Sequence, residues 1–258
     1  MLTSGYNQLF LHNINTFKAQ CEKNKEYAAF YPSFGATEHE PAEFLIYGQA
    51  VKGWKPVFDA STPFDQRSFI RDAISYSNDR YKEKNHSPLD WVNVYWSKSS
   101  YSTFVNTEAE RDFYPSISYN TSRSFFWNVT YKLVCRYYGL DEYGWEWAKK
   151  IVWSNLYKIA PAAMQNPNDE ECLWQEAGAS ALIKSELDEI KPKFCIVITN
   201  DTWWQPFRTQ LKTTVLHTQK DSIIESVEAY GQTRIIVTTR PFAGNSDNHA
   251  SRILELLR

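Results

Sequence analysis

The sequence predicts an α/β fold: one domain in three αβα layers, with a central four-stranded parallel sheet, helices on both faces, and a ligand site at the sheet's carboxyl edge. Two observations carry this. Four short apolar runs are continuous rather than alternating, as in parallel strands covered on both sides. Each run then stops at a small or polar residue, where open parallel sheets bind their ligands. A chain of 258 residues is long enough for one such domain.

In chain order, a first helix is expected from Tyr6 to Tyr27, with Phe10, Ile14 and Phe17 at helical spacing. The first strand is Phe44–Tyr47, stopping at Gly48. From Ala60 to Tyr119 the chain is polar and aromatic-rich, with Pro63, Pro88 and Pro115, and reads as an elaborated insertion at about 60–120 or a small subdomain. A helix from Ser122 to about Tyr138 stops at Gly139. The second strand, Ile151–Trp153, ends in Ser154 and Asn155. Asn168 or Asp169 caps a helix carrying Leu173, Ala177, Ala181 and Leu187, with Pro192 beyond its end. The third strand, Phe194–Ile198, ends in Thr199 and Asn200; the fourth, Arg234–Val237, ends in Thr238 to Pro241. A last helix runs from about Asn248 to Leu257. No internal repeat or linker divides residues 1–258.

A formal charge of −2 excludes a strongly basic nucleic-acid coat, so any DNA contact must be local. Aromatic residues make up 16% of the chain, and Trp and Tyr in polar surroundings often stack on bases or sugar rings. Cys21, Cys135, Cys172 and Cys195 lack paired metal-ligand spacing, so no metal or cofactor is expected and they read as free thiols. No signal peptide or membrane span stands out, so the reading is a cytoplasmic monomer with no membrane partner. The sequons at Asn120 and Asn128 are then chance matches.

Taken together, the strand ends resemble the uracil-DNA glycosylase superfamily. There a strand runs into a Gly-Gln-Asp-Pro or Gly-Glu-Ala-Pro-Gly loop; here the chain reads Gly48-Gln49-Ala50-Val51-Lys52-Gly53. That family's second strand ends in a base-reading Asn, in one branch as Thr-Asn-x-x-Lys-Cys-Arg-Pro; the counterpart is Ser154-Asn155-Leu156-Tyr157-Lys158-Ile159-Ala160-Pro161, followed by Asn166-Pro167-Asn168. Lys191-Pro192 precedes the third strand as the family's lysine-proline does. The family's His-Pro-Ser and intercalating loop are answered by Arg240-Pro241-Phe242-Ala243-Gly244-Asn245-Ser246. The resemblance covers about residues 42–58 and 148–258. Ala50 or Gln49 stands where the family carries its carboxylate, Arg240 replaces His, and Ile159 stands at one cluster-cysteine position, so no iron–sulfur cluster is expected.

The resemblance implies a DNA glycosylase that flips out a base and hydrolyses its N-glycosidic bond. Drift at the base-touching positions points away from plain uracil toward a bulkier modified base, such as a glucosylated cytosine of phage DNA, and hence to phage defence. Asn155 reads the base edge or caps a turn. Gly48, Gln49 and Ala50 allow close backbone approach. Lys52 and Trp54 hold phosphate and stack on a ring, or form a solvated loop. Arg240 serves the departing base, a phosphate or an ion pair. Phe242 is a wedge for the gap left by the flipped base or a packing residue, and Asn245 shares its loop. Phe58 is a candidate base or DNA contact, and Asp59 beside it is the nearest carboxylate to activate water, or a helix cap; Asp247 is the second choice. Two other readings stand beside this one: a non-catalytic nucleic-acid binder on the same fold, and an esterase built on Asp247 and His249, which lacks a nucleophile motif.

Overall fold

The computed structural model describes residues 2–35, 42–50, 54–79, 88–89, 92, 124–142, 144, 146–163, 165–217 and 221–257. The chain begins with α1 (Ser4–Lys18), β1 (Glu26–Ala29), β2 (Ser33–Phe34), β3 (Phe44–Gly48), β4 (Val57–Asp59) and α2 (Gln66–Ile74). It continues with α3 (Phe125–Tyr138), β5 (Ile151–Asn155), β6 (Ile159–Pro161), α4 (Asp169–Ile190), β7 (Phe194–Ile198) and α5 (Asp201–Leu211). The last elements are β8 (Thr214–His217), β9 (Ile224–Tyr230), β10 (Thr233–Thr238) and α6 (Ser246–Glu255).

The four expected strands are β3, β5, β7 and β10. They lie side by side and parallel in the order β5-β3-β7-β10. The expectation of a four-stranded sheet is corrected: antiparallel strands extend it to seven, with β2 outside β5, and β9 and β8 outside β10. The added edges escaped the sequence pattern because they lack continuous burial. All four residues of β8 are exposed, and β9 alternates irregularly. A second, three-stranded antiparallel sheet, β4-β1-β6, also departs from the expectation.

Alternation along the parallel strands sends side chains to opposite faces. Phe44, Ile46, Ile151, Trp153 and Ile196 join a core with α3 and α6. Leu45, Tyr47, Val152, Cys195 and Val197 join another with α4 and α5. These are the outer layers of the sandwich, with every residue of β3, β5 and β7 buried. A third core holds α1, α2 and the small sheet through Tyr6, Phe17, Tyr27, Phe58 and Phe69.

Helix ends follow local chemistry. Asn168 and Glu171 form a capping box on α4, and Gly139 ends α3 at φ 66°, a left-handed backbone that costs glycine little. The first helix stops at Lys18 rather than reaching Tyr27, because Tyr27, Ala28 and Ala29 enter a central strand that is buried on both faces. The last helix starts two residues earlier than expected, at Ser246. Helix α5 interrupts its own pattern with Pro206, and α2 lies in the segment read as an insertion. Most of that insertion lies outside the described residues, as does Lys52. Among the described residues, no helix is long and apolar enough to cross a membrane.

Candidate functional site

Strand β3 leads by way of α3 to β5 on one side of it, whereas β7 and β10 lie on the other. The strand order therefore reverses at the β3/β7 boundary, where open α/β sheets form a ligand crevice beyond their carboxyl ends. Register places Gly48 opposite Asn155, and Thr238 opposite Ile198, at the last residues of their strands. Tyr47 pairs with Val197, which pairs with Val237, so Asn155, Gly48, Ile198 and Thr238 form one row. By alternation the row faces α3 and α6.

Asn155 is 2% exposed, and its Nδ2 has no hydrogen-bond partner among the described residues. Its side chain crosses Gly48 so closely that a Cβ there would sit 2.6 Å from Asn155 Oδ1 and 3.5 Å from Phe126 Cε2. Glycine is thus required at position 48 by close approach, not by backbone angle. The ladder also continues past the strand ends: Leu156 N donates to Gly48 O at 2.9 Å and Tyr157 N to Gln49 O at 3.0 Å.

Behind this end lies a buried ionic cluster. Lys158 Nζ donates to Ser154 Oγ at 2.7 Å and Asn155 O at 2.5 Å, and pairs with Glu186 Oε1 at 2.8 Å. Tyr6 and Tyr47 donate to the two oxygens of Glu186 at 2.7 and 2.6 Å. All three ammonium protons have acceptors, although burial still pulls the Lys158 ammonium below its ordinary value against the pull of Glu186. Burial and Glu186 together raise Tyr47, keeping its hydroxyl a donor.

At the far end of the row, His249 is fully buried and its Nε2 lies 3.0 Å from Thr238 Oγ1. Thr238 Oγ1 also lies 3.1 Å from Thr239 O and 3.4 Å from Val197 O, so which partner donates across the His249–Thr238 bond follows the imidazole tautomer. Nδ1 has no partner. Burial lowers the imidazole to about 4, so it is neutral at pH 7.

The other sequence-predicted residues divide. Gln49 is half-buried and its Oε1 accepts from Asn166 Nδ2 at 3.4 Å; Ala50 packs on the core facing α4 and α5. Arg240 is exposed and makes no hydrogen bond or ion pair among the described residues, and Phe242, in the same loop, is 62% exposed. Asn245 precedes α6 and its side chain makes no capping bond. Trp54 is not on a phosphate-facing loop tip. It donates to Ser77 Oγ at 3.1 Å and packs edge-on against Trp153 at 5.2 Å, in an aromatic cluster under the β5 end.

Phe58 and Asp59 lie on the second sheet. Phe58 belongs to the third core, packed on Tyr27 and Phe69. Asp59 Oδ1 accepts from Ser61 N at 2.6 Å and Thr62 N at 2.7 Å, closing a turn, and bonding with Thr62 holds its carboxyl below the usual range. Asp247 is committed too, paired with Lys132 and with Arg136 at 2.5 Å; bonding to Lys132, then Arg136, lowers its carboxyl. With Asp247 held on α3 and His249 on Thr238, the Asp–His relay of an esterase does not form.

Sequence reasoning missed Phe126, Lys158 with Glu186, and the role of Thr238. The Ser-Phe-Phe-Trp start of α3 signalled an aromatic helix end but not its destination. Among the described residues, no group of three or more His, Cys, Asp or Glu could hold a metal ion. Compared with protein-family models and with curated proteins, the chain matches none.

Proposed function

We propose that the chain is a DNA N-glycosylase that takes a modified base out of the stack and hydrolyses its bond to deoxyribose. The observation that carries the reading is the buried amide of Asn155 at a parallel strand's carboxyl end, unpaired among the described residues and laid across a glycine it requires. A buried donor without a partner costs about 1–3 kcal/mol, so a site that retains one fits a ligand that completes it. The strand-end motifs that resemble the uracil-DNA glycosylase superfamily support the same reading.

In this reaction the C1′–N bond breaks as the sugar becomes oxocarbenium-like and negative charge grows on the departing base. Water oxygen bonds to C1′; one of its protons goes to the base nitrogen and the other to the hydroxyl of the product sugar. Asn155 Nδ2 donates to the base oxygen or ring nitrogen as the charge builds, the kind of preorganised contact that favours the transition state. Phe126 offers a ring beside it. Exposed Arg240 meets backbone phosphate, and exposed Phe242 fills the gap left by the base. The substrate class is a bulky or sugar-decorated cytosine, in keeping with the Tyr- and Trp-rich stretch at 60–120 and with a role against phage DNA.

A second reading, a non-catalytic binder of such DNA, is favoured by one observation: Asp59 and Asp247, the two candidate water activators, are both engaged elsewhere. The experiment that separates them is incubation with duplexes carrying cytosine, uracil or glucosylated 5-hydroxymethylcytosine, followed by alkali. Strand breaks with wild type and none with Asn155→Ala support the glycosylase. Tight binding without breaks supports the binder, and neither binding nor breaks overturns both.

A further inference from the structure

Asn155 Nδ2 has no partner among the described residues, so no bond of its own sets the angle of that donor. The backbone beneath it is held instead. Lys158 Nζ donates to Asn155 O at 2.5 Å and to the hydroxyl of Ser154, the preceding residue, at 2.7 Å. The ammonium pairs with Glu186 of α4 at 2.8 Å, and Glu186 also accepts from Tyr47, the residue before Gly48. Tyr47 and Ser154 are register partners, as are Gly48 and Asn155 one step on. Alternation turns the first pair toward α4 and the second toward α3. The ion pair therefore lies on the opposite face of the sheet from the Asn155 amide, and both its side chains are fully buried.

We propose that Lys158 is a positioning residue, which aims the Asn155 amide from behind the sheet by tying the end of β5 to Glu186 and, through Glu186, to the end of β3. The inference rests on the base-excision reading above and names the group that keeps its donor in place. Strand β5 ends at Asn155 and β6 begins at Ile159, so the chain turns directly after the amide. An ammonium suits the task of holding such a turn: it has three donors, and here two acceptors belong to β5 and one to α4. Apolar side chains of similar volume often stabilise a fold as well as a buried ion pair does, so stability alone gives little reason to bury one here. Direction gives a better one, because an error of about 1 Å in placing a reacting or stabilising group can cost on the order of 100-fold in rate.

Two double variants separate this role from a structural one. Lys158→Met with Glu186→Gln removes both charges and every donor at position 158. Lys158→Gln with Glu186→Gln removes the same charges at nearly the same size but keeps an N–H donor for Asn155 O. The readout is the 15N order parameter of the Asn155 side-chain amide in asparagine-labelled protein, its signal identified by its loss in Asn155→Ala. The expected result is a rigid amide in wild type, near about 0.85, a fall below about 0.6 in the Met double, and recovery of at least half of that fall in the Gln double. Base release should follow, with kcat down about tenfold or more at a KM within about twofold in the Met double. Ser154→Ala keeps the ion pair, and so the fold, while removing one acceptor of the ammonium; its order parameter is expected between wild type and the Met double, and it carries the test if the doubles do not fold. An order parameter unmoved in the Met double or in Ser154→Ala, or equal losses in the Met and Gln doubles, overturns the proposal. The amide is read without substrate, so a wild type that releases no base overturns the excision reading alone, whereas base release with an amide indifferent to position 158 overturns the positioning role alone.

Discussion

Asn155 lies across Gly48, with its Oδ1 2.6 Å from where a Cβ at position 48 would stand. The two residues are paired at the last rung of β3 and β5, so no side chain can be added at position 48 without displacing Asn155. Gly48→Ala is therefore expected to push the amide off its position and cut base release or base affinity at least tenfold. The cost to stability should be only about 1–3 kcal/mol, as for other overpacking changes. Single-turnover cleavage and urea unfolding on the same variant check this, and unchanged activity would remove Gly48 and Asn155 from the site.

Lys158 and Glu186 are expected to stand or fall together. Lys158→Met leaves the Glu186 carboxylate buried with only Tyr6 and Tyr47 donating to it, so a loss of about 3–5 kcal/mol is expected. Lys158→Met with Glu186→Gln removes both charges and should recover part of that loss. Denaturant midpoints of the two single variants and the double give the coupling; strictly additive effects would contradict the pairing.

Asp59→Ala is expected to lower the thermal midpoint while leaving any base release within about twofold, since its carboxylate closes a turn on the second sheet. A large fall in rate at unchanged substrate affinity would make Asp59 the water activator after all.

Acid should destabilise the protein before its carboxylates protonate. His249 is depressed to about 4 in the fold by burial, which outweighs the attraction of Asp221. Unfolded histidine takes up its proton near pH 6.5, so between about pH 6.5 and 4 the unfolded state binds more protons and stability falls as pH falls. From pH 7 to pH 5 the loss is about 2 kcal/mol, measurable as a shift in urea midpoint. His249→Gln should flatten that slope, and an equal slope in the variant would contradict the assignment.

Arg240→Ala is expected to weaken DNA binding and flatten the slope of log K against log salt by about one unit, because the guanidinium is exposed and has no partner among the described residues. A slower chemical step at unchanged affinity would move Arg240 from the phosphate to the departing base.

The sequence by itself determined the parallel centre of the fold and where its strands stop. Continuous apolar runs such as Phe194–Ile198 can be satisfied only by cover on both faces, and Gly48, Asn155 and Thr238 mark their ends without reference to anything distant. Caps were equally legible, since Asn168 and Gly139 act within one turn. Tertiary structure decided what periodicity does not encode. Strands β8 and β9 are held by their neighbours rather than by a buried pattern of their own, and Tyr27 to Ala29 become a strand because two partners flank them. The site divides in the same way. Asn155 was readable from its position, but that its amide crosses Gly48, that Lys158 finds Glu186 on α4, that His249 meets Thr238, and that Asp59 closes a turn on another sheet all depend on which residues distant in sequence become neighbours. Local sequence sets the tendency to form an element; only packing sets the partner of a buried polar group, because that partner is chosen by the cost of leaving the group alone.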